Sequence, residues 1–220
     1  VVVFITVSPK SISRTYRSEL REQQAQATRQ RVLEAAAELF AADGYARTTM
    51  AKIAAAAGVS AETVQGLGPK AALMVAAIED VAFGVTGDQN ILDLDPGRAL
   101  LTIEDVSEAV DFVVAVQTDI HERTATLYRA LAAGAGADPV LDRYLSDLTA
   151  GVGRQLRRVV DVFRDRGWVR TDVAYDEVVE TAVVLAGVET FLRFTHRDGH
   201  SVEAFRQWLR RMLRETVCAR

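Results

Sequence analysis

TTMAKIAAAAGVSAETVQGLGPK, residues 48–70, carries two short helical patterns separated by a turn. Met50, Ile53, Ala54 and Ala57 fall at i, i+3, i+4 and i+7, which gathers them on one narrow helix face. The alanines around that face let a second helix cross closely. Gly58-Val59-Ser60 supplies the turn, and Ser60 is placed to cap the second helix by accepting from the backbone N–H of Thr63 or its neighbour. Glu62 in the first turn suits the positive end of the helix dipole, and Val59 and Val64 are the expected apolar contacts between the pair. Two helices joined by a short Gly-containing turn form a helix-turn-helix, which presents its second helix to the DNA major groove. An Ala-rich helix, a Gly turn and a short helix also occur in helical proteins that never meet nucleic acid, so the flanking sequence has to decide.

The chain has 220 residues, 49% hydrophobic and 25% charged, enough to bury a sizeable core. Four prolines and few strand-like runs point to helices. The single cysteine, Cys218, rules out an internal disulfide and a cysteine-rich zinc site, and is compatible with a reducing cytoplasm. The apolar opening VVVFITV, residues 1–7, is too short to cross a bilayer and reads as a loosely attached tail, so no membrane partner is expected. The net charge of −4 hides an asymmetry: residues 1–70 hold nine Lys and Arg against six acids, and the remainder seventeen against twenty-four. A basic N-terminal part on an acidic body is the pattern expected if only that part meets phosphates.

Residues 1–27 read as a flexible basic arm with Arg14, Arg17 and Arg21 among polar residues, turning into good helix formers from about Ser18. From Thr28 an amphipathic helix places Val32, Ala36, Leu39 and Phe40 on one face, and Asp43-Gly44 stops it.

With these residues in view, the N-terminal part resembles the TetR-type transcriptional regulators. The resemblance rests on Arg31-Val32-Leu33, Ala35-Ala36, Leu39-Phe40, Gly44-Tyr45, Thr48-Thr49-Met50, Ile53-Ala54, Ala57-Gly58-Val59-Ser60 and Thr63-Val64 at matching spacing. It implies an all-α homodimer: an N-terminal three-helix DNA-binding domain with a helix-turn-helix, joined to a larger helical ligand-binding and dimerisation domain. On this reading the DNA-binding domain spans 28–70, a linking helix covers 70–84, and the body runs over 85–220. Carried over by position, Thr48, Thr49 and Lys70 would hold phosphates, while Ser60, Ala61, Glu62, Thr63 and Gln65 would face base edges of a double-stranded operator. One segment departs from the family pattern. After Val64 such proteins continue with two aromatics; here the chain reads Gln65-Gly66-Leu67-Gly68-Pro69, which shortens the recognition helix.

The body reads as helices throughout. Residues 84–97 form a Gly- and Asp-containing linker, residues 104–133 a long helix with a break considered near Thr118, and residues 139–166 another that Gly167 ends. Residues 176–195 form the most apolar helix, with Ala186 and Gly187 permitting close approach, and residues 202–217 close the chain. By resemblance the last two helices pair with their copies, through Val184, Val188, Phe191, Trp208 and Met212. Phe112, Val116, Tyr128, Phe163 and Phe191 are candidates to enclose a small hydrophobic effector, or else ordinary core residues.

His196 and His200 have the i, i+4 metal spacing, but Arg-Asp-Gly between them predicts a loop and no third ligand is evident, so no metal is expected. His121 reads as a polar helix residue or a pocket hydrogen-bonder. No phosphate-cradling loop or nucleophile elbow is present, so neither an enzyme nor a cofactor is expected. The combined expectation is a ligand-responsive DNA-binding repressor released by its effector. The alternative is a helical small-molecule-binding protein whose DNA binding has weakened at the Gln65–Pro69 segment.

Overall fold

The computed structural model describes residues 9–84, 89–136 and 138–219, with side chains from residue 20 onward. The apolar start, Val1–Val7, lies outside the described residues. Helix α1 runs Pro9–Arg47. The arm expected over 1–27 is therefore helical from Pro9, because Glu, Gln, Ala, Leu and Arg over 19–31 lose little side-chain freedom in a helix. Val32, Leu33, Ala35, Ala36 and Phe40 are its buried stripe. The helical path breaks at Gly44, whose φ of 76° lies in the region that favours glycine, as Asp43-Gly44 predicts.

Helix α2 (Met50–Ala57) begins at Thr49, whose hydroxyl accepts from Lys52 N at 3.2 Å, and buries Ile53, Ala54 and Ala57. It stops at Gly58, held at φ 65° and ψ 38°, whose N–H donates to the carbonyls of Ala54 and Ala55. Ser60 caps α3 (Ala61–Gln65) by accepting from Thr63 N at 3.1 Å, and Val64 is the one residue α3 buries. Helix α4 (Lys70–Phe83) buries Ala71, Leu73, Met74, Ala77, Ile78 and Ala82.

The expected linker is partly ordered as helix. A 3₁₀ turn at Ile91–Asp93 leads into α5 (Asp95–Thr102), with a proline in the first turn of α5. A Cβ on Gly97 would stand 2.1 Å from the Ile91 carbonyl oxygen, so only glycine lets the two elements meet. Helix α6 (Val106–Ala135) runs unbroken past Thr118, whose hydroxyl donates to the Val114 carbonyl at 2.7 Å and so is satisfied within the helix. Helix α7 (Pro139–Asp165) opens on Asp138, which caps Val140 N, and Gly167 turns the chain out of it at φ 71°.

The expected single helix over 176–195 is two helices. Helix α8 (Tyr175–Ala186) ends at Gly187, which is extended at ψ 152°; α9 (Val188–Leu192) then starts afresh and widens into a π turn at Arg193–Arg197. Helix α10 (Val202–Thr216) closes the fold. Behind it the chain returns to the exit of α7 through an isolated antiparallel bridge, Val169 to Cys218.

Two apolar cores result. One joins α1 to α4 with Leu127, Leu131 and Ala135 of α6 and Leu141 of α7. The other gathers Val110, Val114, Val160, Phe163, Phe191, Phe205 and Leu209 from α6 to α10. The boundary expected near residue 85 is thus a boundary along the chain and not in the packing. Helices α6 and α7 each place one end in the N-terminal core and the rest in the other.

Candidate DNA-contact surface and effector cavity

The exposed face of α3 holds Ala61, Glu62, Thr63 and Gln65, with Ser60 exposed at its cap, while Val64 points inward. This arrangement brings together all five residues expected to face base edges. Ser60 Oγ also lies 2.9 Å from Thr63 Oγ1, so the two hydroxyls orient one another. Thr49 is exposed at the start of α2 beside Lys52, whose ammonium bonds the Asp43 carboxylate at 2.9 Å and the Arg47 carbonyl at 3.0 Å. That bond and the Lys52 charge hold the Asp43 carboxyl below the usual carboxylate range.

Two of the expected phosphate contacts face inward. Thr48 is fully buried, and its hydroxyl donates to the carbonyls of Leu39 (3.1 Å) and Gly44 (2.9 Å), where it satisfies acceptors freed by the break in α1. Lys70 donates to the carbonyls of Tyr45 (2.9 Å) and Thr48 (3.0 Å) and sits 4.0 Å from the centre of the Tyr45 ring. Burial pulls the Lys70 ammonium below its ordinary value, against the favourable charge of Asp138. Both residues brace the helix-turn-helix from beneath. Sequence position alone did not distinguish a brace from a phosphate contact, because either role wants a donor at that place.

A cavity of about 370 Å³ opens between α4, α5, α6, α7 and the α8–α9 junction. Its walls are mostly apolar, with Val75 and Ile78 from α4, Leu100 from α5 and Leu148 and Val152 from α7. Of the five candidates for the cavity, Phe112, Val116 and Tyr128 line it. Phe163 and Phe191 do not. Phe163 is buried edge-on against Trp168, and Phe191 is buried edge-on against Phe205, both inside the second core.

Polar groups collect at the α8–α9 break. Gln117 Nε2 and His121 Nε2 both reach the Ala186 carbonyl oxygen, at 3.2 and 2.8 Å, and the Tyr128 hydroxyl donates to Glu189. Burial drives the His121 imidazole below its ordinary value, although the Ala186 carbonyl and Glu189 oppose that. Burial and Glu189 together push the Tyr128 phenol well above its ordinary range. Gln117 and Glu189 escaped the sequence reading. Gln117, His121, Thr124 and Tyr128 stand at three- and four-residue steps on α6, a polar stripe that helical periodicity shows once it is sought.

Arg123, on the neighbouring face of α6, donates to the carbonyls of Val81 and Ala82 at the end of α4. Among the described residues no group of three His, Cys, Asp or Glu side chains is placed to hold a metal. The His196 ring instead lies tilted against Phe191, with centroids 6.2 Å apart, and His200 lies tilted against Phe194 at 4.5 Å.

A sequence profile of bacterial regulatory proteins of the tetR family matches residues 32–64, the end of α1 through α3. Solved structures of the same fold span nearly the whole chain. A protein described as a transcriptional regulator from Saccharomonospora viridis, in complex with choline, is 20% identical with a TM-score of 0.64 and covers 87% of this chain and 98% of its own. A protein described as a TetR-family regulator from Rhodococcus sp. is 17% identical with a TM-score of 0.66 over the same shares. The regulator FadR from Bacillus subtilis, in complex with stearoyl-CoA, is 12% identical with a TM-score of 0.64 and covers 84% of this chain and 96% of its own.

Residues 32–64 thus match the TetR-family model, and the chain as a whole shares the fold of solved regulators described as members of that family. Among curated proteins no relative matches. The fold is an N-terminal helix-turn-helix domain joined to a helical C-terminal domain.

The surface expected to pair with a second copy is mixed in character. Val184 is 58% exposed on α8, and Trp208 and Met212 are half-buried on α10. Phe191 is 2% exposed and belongs to the protomer's own core, so it is removed from that surface. Val188 is half-buried and lines the cavity. Among the described residues no helix is long and apolar enough to cross a membrane.

Proposed function

We propose that this protein is a TetR-type transcriptional regulator, a homodimeric repressor released when a small, largely apolar effector enters the cavity. One observation carries the reading: α4 forms a wall of the cavity through Val75, Ile78, Ala82 and Phe83, and the same helix begins at Lys70 beneath the helix-turn-helix. An occupant that displaces α4 displaces α3 with it. Two half-sites on DNA lie a fixed helical repeat apart, so a changed spacing of the two α3 helices prevents both from docking at once.

In this reading Ser60, Ala61, Glu62, Thr63 and Gln65 read base edges and Thr49 meets a phosphate, while Val184, Trp208 and Met212 belong to the dimer surface. The neighbours bound to choline and stearoyl-CoA support a ligand-binding body without identifying the ligand of this one.

A gel-shift titration against the DNA upstream of the gene tests the core claim. Binding to a specific segment at moderate salt is expected to exceed binding to bulk DNA by about a thousandfold or more. Uniform affinity for every segment would overturn it. The reading of a small-molecule-binding protein with weakened DNA binding draws on one observation, the five-residue α3 followed by Gly66 and Gly68. Flat DNA titrations alongside tight small-molecule binding would favour it.

A further inference from the structure

Hydrogen-bond direction at the polar end of the cavity restricts what the effector can carry. Gln117 and His121 each point a nitrogen at the Ala186 carbonyl oxygen, which can only accept. Gln117 therefore gives one hydrogen of its NH2 to that carbonyl and keeps its Oε1 as an acceptor. The imidazole likewise places its proton on Nε2, which leaves a lone pair on Nδ1. Burial keeps the ring neutral, so Nδ1 remains an acceptor. Tyr128 spends its proton on Glu189 Oε1, and the carboxylate has only acceptors. Gln117, His121, Tyr128 and Glu189 all line the cavity, and the hydrogens that Gln117 and His121 give to Ala186 and that Tyr128 gives to Glu189 are not offered to a bound ligand. Phe112, Val113 and Val116 add apolar wall from α6, with Thr124 and Thr149 beside the cluster.

We infer that the cavity takes an amphiphilic amine, a compound with an apolar body and a protonated nitrogen that donates to Glu189, Gln117 Oε1 and His121 Nδ1. An ammonium group brings N–H donors and a positive charge to a cluster that offers acceptors and the Glu189 carboxylate, while α4 and α7 add Glu79, Asp147 and Arg154 to other parts of the cavity wall. It also lies against the Tyr128 ring, whose face attracts cations. A carboxylate head would bring acceptors to acceptors and a second negative charge to Glu189. The inference rests on the effector-cavity reading above and narrows it to one chemical class.

Isothermal titration of the full chain with octylamine, 1-octanol and octanoate separates the two levels. The three share one apolar body and differ in the head. Octylamine is expected to bind about tenfold or more tighter than 1-octanol, because charge-assisted hydrogen bonds are roughly twice as strong as neutral ones. Octanoate is expected to bind weakest. In Glu189→Gln the octylamine advantage over 1-octanol should fall to about threefold or less, and a retained helical circular dichroism signal and cooperative thermal unfolding show that the variant is folded. Equal binding of all three, preference for octanoate, or an amine preference untouched by Glu189→Gln would overturn the amine inference and leave the cavity reading standing. Failure of all three to bind would overturn both.

Discussion

Helices α2 and α8 both stop at a glycine, and they stop in different ways. Helix α2 ends at Gly58 in the left-handed conformation, and the last carbonyls are met at once by the N–H groups of Gly58 and Val59. Helix α8 ends at Gly187 in extended backbone, and the freed Ala186 carbonyl is met by Gln117 and His121, sixty-nine and sixty-five residues earlier in the chain. The first ending is local chemistry. The second exists only because α6 lies alongside. A helix end closed by its own neighbours can be read from a few residues, whereas one closed from across the fold looks in sequence like uninterrupted helix. The local ending builds the helix-turn-helix and the distant one builds the polar end of the cavity.

The largest expected effect tests whether the distant ending depends on its packing. Phe191 sits just past the α8–α9 break, 2% exposed, against His121, His196 and Phe205. Phe191→Ala is expected to cost about 3–5 kcal/mol in urea unfolding, the range for a buried Phe truncated to Ala. A loss under about 1 kcal/mol would show that the break does not rely on that ring.

Next in size is Gly58→Ala. No atom lies within 4 Å of the added Cβ, so the cost is conformational alone, about 1–2 kcal/mol for a left-handed residue with a side chain. A neutral result would mean that the turn between α2 and α3 has a second geometry available.

The smallest effect is one of pH. The folded imidazole of His121 resists protonation, while an unfolded one titrates near its ordinary value of 6.5. The unfolded state then binds more protons, so stability holds above that value and falls as pH drops below it toward the lowered folded value. His121→Phe should flatten the unfolding free energy measured from pH 7 down to 5 relative to the parent chain. An unchanged slope in the variant would assign the dependence to another group.

Much of the N-terminal part was legible because its signals are short-range. Thr49 and Ser60 cap within three residues, Gly44 and Gly58 turn the chain where they stand, and the apolar steps in α1, α2 and α4 match their buried faces. The exposed face of α3 followed from the same periodicity. What was not legible depends on long-range partners. Thr48 and Lys70 are polar residues at the rim of the helix-turn-helix, and only the fold reveals that carbonyls beneath them take up their hydrogens. Phe163 and Phe191 have the hydrophobicity of cavity-lining residues, and composition does not separate a wall from the core behind it. Gln117 and Glu189 acquire a role only because Gly187 frees a carbonyl between them.

The fastening of α4 has a mechanical consequence. Its fourteen residues make a rod about 20 Å long at 1.5 Å per residue. At one tip the Lys70 ammonium is moored to the carbonyls of Tyr45 and Thr48, and at the other Arg123 grips those of Val81 and Ala82. A beam pinned at both tips and loaded along its side does not absorb the load as slack; it hands the load to its pins. One pin is the floor of the helix-turn-helix, and the other is the helix that carries Gln117, His121 and Tyr128.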